Sequence, residues 1–168
     1  MKVDIWSDVR CPFCYIGKRK FEKALEKFPH KNEIEVNWHS FELDPTLKTN
    51  PEVNAVEHIA EIKGISKEQA EGMHEHVINV AKEVELDFNF DKSVVANSFN
   101  AHRLIQLSKI KSLANEAEEA LFKAHFTEGK NIDDEETLIR TGENIGLDKN
   151  EVKEIFSSDA FSEEVKQD

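Results

Sequence analysis

Apolar and polar residues alternate only near the beginning of the chain; beyond that they recur with helical spacing. Lys2-Val-Asp-Ile-Trp6 is a short β-branched and aromatic run that predicts a buried strand. Ser7-Asp8-Val9-Arg10 predicts a loop. A helix follows from about Cys11 to Phe28, with Phe21, Leu25 and Phe28 at helical spacing and Pro29 as its stop. From Glu33 to Phe41 the pattern alternates again: Ile34, Val36 and Trp38 fall on one face, Glu33, Glu35, Asn37 and His39 on the other. That is the pattern of a half-exposed strand. Strand, helix and strand in close succession make a βαβ unit with parallel strands and a right-handed crossover.

Beyond Pro45 the pattern is helical throughout. Pro51 to Lys63 predicts one helix, closed by Gly64. Ser66 with Gln69 is a capping-box signal for a second, running to about Glu85. Leu86-Asp-Phe-Asn-Phe90 predicts an aromatic loop or short extended piece. The next helix starts at Asp91 or Ser93, carries Phe99, Arg103 and Leu107, and ends near Lys111. Asn115 to Glu128 follows, stopped by Gly129. Asp133-Asp-Glu-Glu136 opens another helix that Gly146 ends, Asp148 caps the next, and Ser157-Ser158 begins a final stub. After Phe90 no alternating run remains, and no proline follows Pro51. The chain thus divides into residues 1–45, which hold the βαβ unit, and residues 46–168, an all-helical segment.

Composition narrows the class. With 39% apolar residues the chain can build a core, and with 33% charged residues it reads as soluble. No apolar run approaches a membrane span, and Met1-Lys-Val-Asp lacks the apolar centre of a secretory signal, so the expected location is the cytoplasm. The net charge of −12 is spread along the helices and repels nucleic acid and anionic membranes.

The chemistry sits in Cys11-Pro12-Phe13-Cys14. These are the only 2 cysteines, too few for a structural disulfide framework and fitting a transient, catalytic disulfide in a reducing compartment. Two thiols at this spacing close a small ring easily, and the first lies where unpaired helix N–H groups favour a thiolate. An ordinary cysteine is only about 3% thiolate at neutral pH, whereas cysteines in such motifs have pKa values of roughly 3.5 to 7. Dithiol–disulfide exchange follows. Zinc needs four ligands, and His39, His74, His76 and His125 show no spacing that completes a site with one cysteine pair, so no metal is expected. His74 and His76 sit two apart on a helix, do not face each other, and read as solvated surface. Trp6, Arg10, Tyr15 and His102 are candidates for a substrate groove, with core packing or a solvated loop as the alternative for each. Leu86, Phe88 and Phe90 suit packing between the helical segment and the N-terminal unit.

The segment Asp8-Val-Arg-Cys-Pro-Phe-Cys-Tyr-Ile-Gly-Lys-Arg19, behind Val3-Asp-Ile-Trp6, resembles the active-site region of the DsbA-like branch of the thioredoxin superfamily, more narrowly its FrnE-type oxidoreductases. Phe41-Glu-Leu-Asp-Pro45, Asn97-Ser-Phe-Asn-Ala-His-Arg-Leu-Ile105 and the stretch from Ala120 to Asp133 resemble further segments of that family in its order. The resemblance implies an α/β fold: a thioredoxin-like βαβ core carrying a large all-helical insertion. It implies thiol–disulfide oxidoreductase activity on protein or small-molecule disulfides without a bound cofactor, glutathione being a conceivable co-substrate. Cys11 matches the nucleophile, Cys14 the resolving cysteine, and Pro12 and Phe13 the dipeptide that tunes the couple. Potentials of such enzymes span roughly −270 to −120 mV, so the motif leaves the direction of transfer open.

The family closes its sheet with two further strands, entered through a cis-proline loop. Neither an alternating run nor a proline is left here to supply them, so the C-terminal strands of the core are expected to be missing from this chain. A free apolar edge on the first strand would follow, covered by a second chain in a homodimer, by a domain swap or by a disordered remnant. The alternative activity is a glutathione-dependent isomerase or transferase resembling kappa-class transferases and hydroxychromene-carboxylate isomerases. Those generally carry serine at the position of Cys11. A non-catalytic binding module that keeps the fold is the third reading.

Overall fold

The computed structural model describes residues 1–168. Strand β1 (Lys2–Ser7) and strand β2 (Glu35–Ser40) pair in parallel, Lys2 opposite Glu35 and Ser7 opposite Ser40. Helix α1 (Pro12–Glu26) joins them, so the expected βαβ unit is present. Pro12 fills the first helical position, where a missing N–H costs nothing.

The helical segment departs from expectation at its start. Asn50–Asn54 is a strand, β3, and helix α2 begins only at Ala55 and runs to Lys63. The Asn54 side chain caps it by accepting from the Val56 N–H at 2.8 Å. β3 pairs antiparallel with Val94–Val95, strand β4, where a helix starting at Asp91 or Ser93 was expected. Two adjacent β-branched residues favour the extended chain there. Helix α4 (Phe99–Ile110) starts only once the Asn97 side chain has turned the chain onto the Phe99 N–H, 2.7 Å away. The segment is therefore helical with one small ribbon, not all-helical.

The remaining caps follow the sequence. Gly64 ends α2 at φ 61°. Helix α3 (Lys67–Lys82) opens on the Ser66/Gln69 capping box with both hydrogen bonds made. The predicted helix over Asn115–Glu128 is α5 (Ala114–Phe122) continued by a π-helical turn, Lys123–Thr127. Gly129 follows at φ +67°, and a Cβ there would lie 2.4 Å from that of Lys92, so glycine is required. Helices α6 (Glu135–Asn144) and α7 (Lys149–Ser157) are capped by Asp134 and Asp148. The final helix α8 (Ser162–Gln167) starts after Phe161 at φ 63°, beyond the expected Ser157-Ser158, because α7 runs through Ser157. The Arg103 guanidinium holds this corner by donating to the carbonyls of Ile155, Ser158 and Ala160.

One apolar core of 25 buried residues spans the division at residue 45, joining Val9, Tyr15 and Ile16 to α3, α4, α5 and α6. Leu86, Phe88 and Phe90 belong to it, as their packing role predicts. The Tyr15 ring stacks on Phe122 at 4.7 Å, and its hydroxyl donates to Glu119 at 2.7 Å. Glu119 also takes Lys18 at 3.1 Å and pairs with Arg19, so one carboxylate on α5 grips three residues of α1. That grip fixes the helix that begins at the two cysteines.

Candidate active site

Cys11 is the N-cap of α1 and Cys14 lies one turn in; both are half-buried free thiols. The loop before them is shaped by Asp8. Its backbone carbonyl accepts from the Cys11 N–H at 2.9 Å. Its fully buried carboxylate accepts from the N–H of Arg10 at 3.0 Å and of Leu43 at 2.7 Å, tying the loop to the exit of β2. Burial pushes the Asp8 carboxyl up, but the neighbouring His102 imidazole and these N–H groups overcome that and hold it below the ordinary range.

The two sulfurs have opposite surroundings. The neighbouring Cys14 side chain and the N–H groups of Cys14 and Phe13 favour a thiolate at Cys11; against burial and the charge of Asp8, these lower Cys11 to about 6. Cys14 is driven upward, first by holding its proton toward Cys11 and then by burial. Behind Cys14 lies Glu118 of α5, fully buried with neither carboxyl oxygen hydrogen-bonded. Burial, followed by the nearness of Cys14, raises it well above the ordinary range, toward the protonated form.

On the open side of Cys11 is a cavity of about 510 Å³, bounded by Arg10, Cys11 and Phe13 and walled by α2, α3 and the β3–β4 ribbon. Phe90 and Phe126 lie in its wall, as does the buried His125 of the π-helical turn. Burial and then the charge of Arg10 lower His125 to about 4, so it is neutral at pH 7. Such turns inside helices recur at functional sites.

Among the sequence candidates, Arg10, Pro12 and Phe13 border the cavity, Phe13 with 55% of its surface exposed. Tyr15 and His102 do not. Tyr15 is buried in the core, and His102 is fully buried with its Nε2 3.6 Å from Asp8, so neither lines a groove. Trp6 lies on the other side of α1, in a smaller recess with Cys14, stacked on His39 at 4.5 Å. His74 is not a solvated surface residue: its ring stacks on Phe90 at 4.3 Å and borders the cavity, while His76 is exposed. Glu118 and His125 were missed. Both fall on the apolar stripe with Leu121 and Phe122 at helical spacing, which was the available signal.

A parallel βαβ unit with a cysteine pair opening its helix, carrying a helical insertion, defines a thioredoxin-like fold. The DSBA-like thioredoxin domain family matches residues 2–168, and the chain belongs to that family. It is similar to SCO1869 of Streptomyces coelicolor, a "probable DsbA oxidoreductase", at 32% identity and a TM-score of 0.93, covering 100% of this chain and 73% of that one. The fold is shared with the cytosolic disulfide reductase DsbM of Pseudomonas aeruginosa, at 15% identity, a TM-score of 0.69 and coverage of 99% and 76%. It is shared too with a 2-hydroxychromene-2-carboxylate isomerase, at 17% identity, a TM-score of 0.68 and coverage of 99% and 76%. No helix is long and apolar enough to cross a membrane.

Proposed function

We propose that this DsbA-family protein is a thiol–disulfide oxidoreductase in which Cys11 is the nucleophile and Cys14 the resolving thiol. The observation that carries the reading is the contrast between the sulfurs: Cys11 lowered to about 6 at the helix start, Cys14 driven upward beside a buried neutral acid. The Cys11 thiolate attacks a disulfide R–S–S–R, forming a mixed disulfide and releasing RS⁻. Cys14 then loses its proton and attacks the Cys11 sulfur, releasing the second RS⁻ and closing the internal disulfide. Two electrons pass from the dithiol to the substrate, and the same steps run backwards oxidise a dithiol. Pro12 and Phe13 tune the couple, Pro12 by fixing the first turn and Phe13 by presenting an apolar ring beside Cys11.

The redox pair itself is the reacting group, with no bound cofactor, and glutathione or another thiol serves as electron donor. A neighbour named as a cytosolic reductase, together with 2 cysteines in the whole chain, supports a cytoplasmic setting. Cysteine at position 11 speaks against the isomerase alternative, for which the shared fold alone gives no support. The outer edge of β1, which is paired on one side only, is where a second copy would add a strand; a monomer in sedimentation would remove that part of the reading. The test of the activity is single-turnover reaction of the reduced protein with a disulfide. Two thiols released per chain by the wild type and none by Cys11→Ser is the expected result; equal reaction of the two proteins would overturn it.

A further inference from the structure

The cavity beside Cys11 is built unlike the rest of the surface. Acidic residues make up 34 of 168 in the chain, yet Asp44 is the one acid among the 21 residues that line it. Its cations are Arg10 and Lys63, and neither has a carboxylate within ion-pair distance, although Lys18, Arg19 and Lys23 elsewhere are all paired. Its inner wall is aromatic and aliphatic: Phe90, Phe126, Val77 and Val95 are buried, and His74 lies flat on Phe90. Its rim is an unpartnered apolar surface, with Phe13 and Ile62 exposed by 55% and 62%. The volume of about 510 Å³ is that of a small-molecule site.

Resting on the redox reading above, we propose that this cavity is the subsite for the non-sulfur part of a low-molecular-weight disulfide, and that this part is aromatic and carries a carboxylate. The ring packs against Phe90 and Phe126 while the carboxylate meets Arg10 and Lys63 at the mouth. The disulfide is thereby laid against the Cys11 sulfur. A chain of net charge −12 repels anions in general, so a local cationic mouth selects acids that also bring an apolar body. In the reaction the Cys11 thiolate forms a bond to one substrate sulfur as the S–S bond breaks, and the aromatic thiolate leaves. Cys14 gives its proton to solvent and displaces the second thiolate, so the enzyme dithiol supplies both electrons.

The experiment is single turnover of the reduced protein with three disulfides: dithiobis(nitrobenzoate), dithiodipyridine and bis(hydroxyethyl) disulfide. Each rate is divided by that of a free dithiol, which removes intrinsic reactivity. The expected order is dithiobis(nitrobenzoate), then dithiodipyridine, then bis(hydroxyethyl) disulfide, with about tenfold or more between first and last. Lys63→Gln, an exposed substitution, should narrow the first gap about fivefold. Ile59→Trp, which fills the cavity from α2, should erase the aromatic advantage. Equal normalised rates for the three, an aromatic preference that survives Ile59→Trp, or a cystine peptide that outpaces all three would overturn the proposal while leaving the redox reading standing. If wild type and Cys11→Ser react alike with every probe, both readings fall.

Discussion

Cys11 and Cys14 stand one helical turn apart, yet they meet different physical worlds. Cys11 faces backbone N–H groups and an open cavity, while Cys14 faces a buried acid and the underside of α5. The first environment rewards a negative charge and the second forbids one. In the proposed mechanism the contrast comes from position along one helix: the helix start favours a thiolate at Cys11, while the partnership with Cys11 and burial hold Cys14 protonated.

The largest break in this contrast is Cys11→Ser, which should abolish thiol release from any disulfide, read by single-turnover absorbance. Cys14→Ser should release one thiol instead of two and leave a stable mixed disulfide on Cys11, visible by mass spectrometry. Removing the thiol of Cys14 altogether sharpens the comparison. With Cys11 at about 6, roughly nine-tenths of it is thiolate at pH 7. In Cys14→Ala the side chain that contributes most to that lowering is gone, so the pH midpoint of Cys11 alkylation should rise toward the ordinary value of about 8.5.

Glu118→Gln tests the other side. The folded protein holds a proton on Glu118 that the unfolded chain releases above about 4.5, so this group costs stability progressively as pH rises from there toward its raised folded value. The glutamine variant lacks that slope. The difference between the two denaturation curves should therefore grow with pH in favour of Glu118→Gln. Contributions from Asp8 and Asp168, whose folded carboxyls are lowered and whose stabilisation is lost toward acid, are common to both proteins and cancel. A difference that does not change with pH would show that Glu118 ionises freely. The smallest effect is expected for Glu119→Gln, which weakens a grip that is about one-third exposed on its acidic side. About 1 kcal/mol should be lost in urea denaturation, with Cys11 reactivity little changed.

The βαβ unit was legible because β2 alternates and a β-branched, aromatic run precedes a helix that begins at a proline and stops before another. β1 itself is half-exposed, with Ser7 alone buried, and not the buried strand that run predicts. The caps at Asn54, Ser66, Asp134 and Asp148 act within a few residues of where they stand, though Asn54 was hidden inside an expected helix. The β3–β4 ribbon was not legible. Its partners lie some 40 residues apart, and a two-residue strand such as Val94-Val95 has no period of its own. The two cysteines announced themselves, whereas the burial of Tyr15 and His102 depended on how α4 and α5 close over α1. Glu118 looked like one more acid on an acidic chain. Only its place on the apolar stripe of α5 set it apart.

The helix beside the cavity and the helix beneath the active-site loop differ in how firmly they are anchored. Helix α4 behind the site buries every residue from Ala101 to Ser108, whereas α2 buries Val56 alone. Elements with few buried contacts open at the lowest free energy. The protein thus presents its reactive sulfur between an anvil and a yielding jaw, and tolerance for bulkier thiol partners should be set by α2, whose sideways give leaves the alignment of the sulfurs untouched.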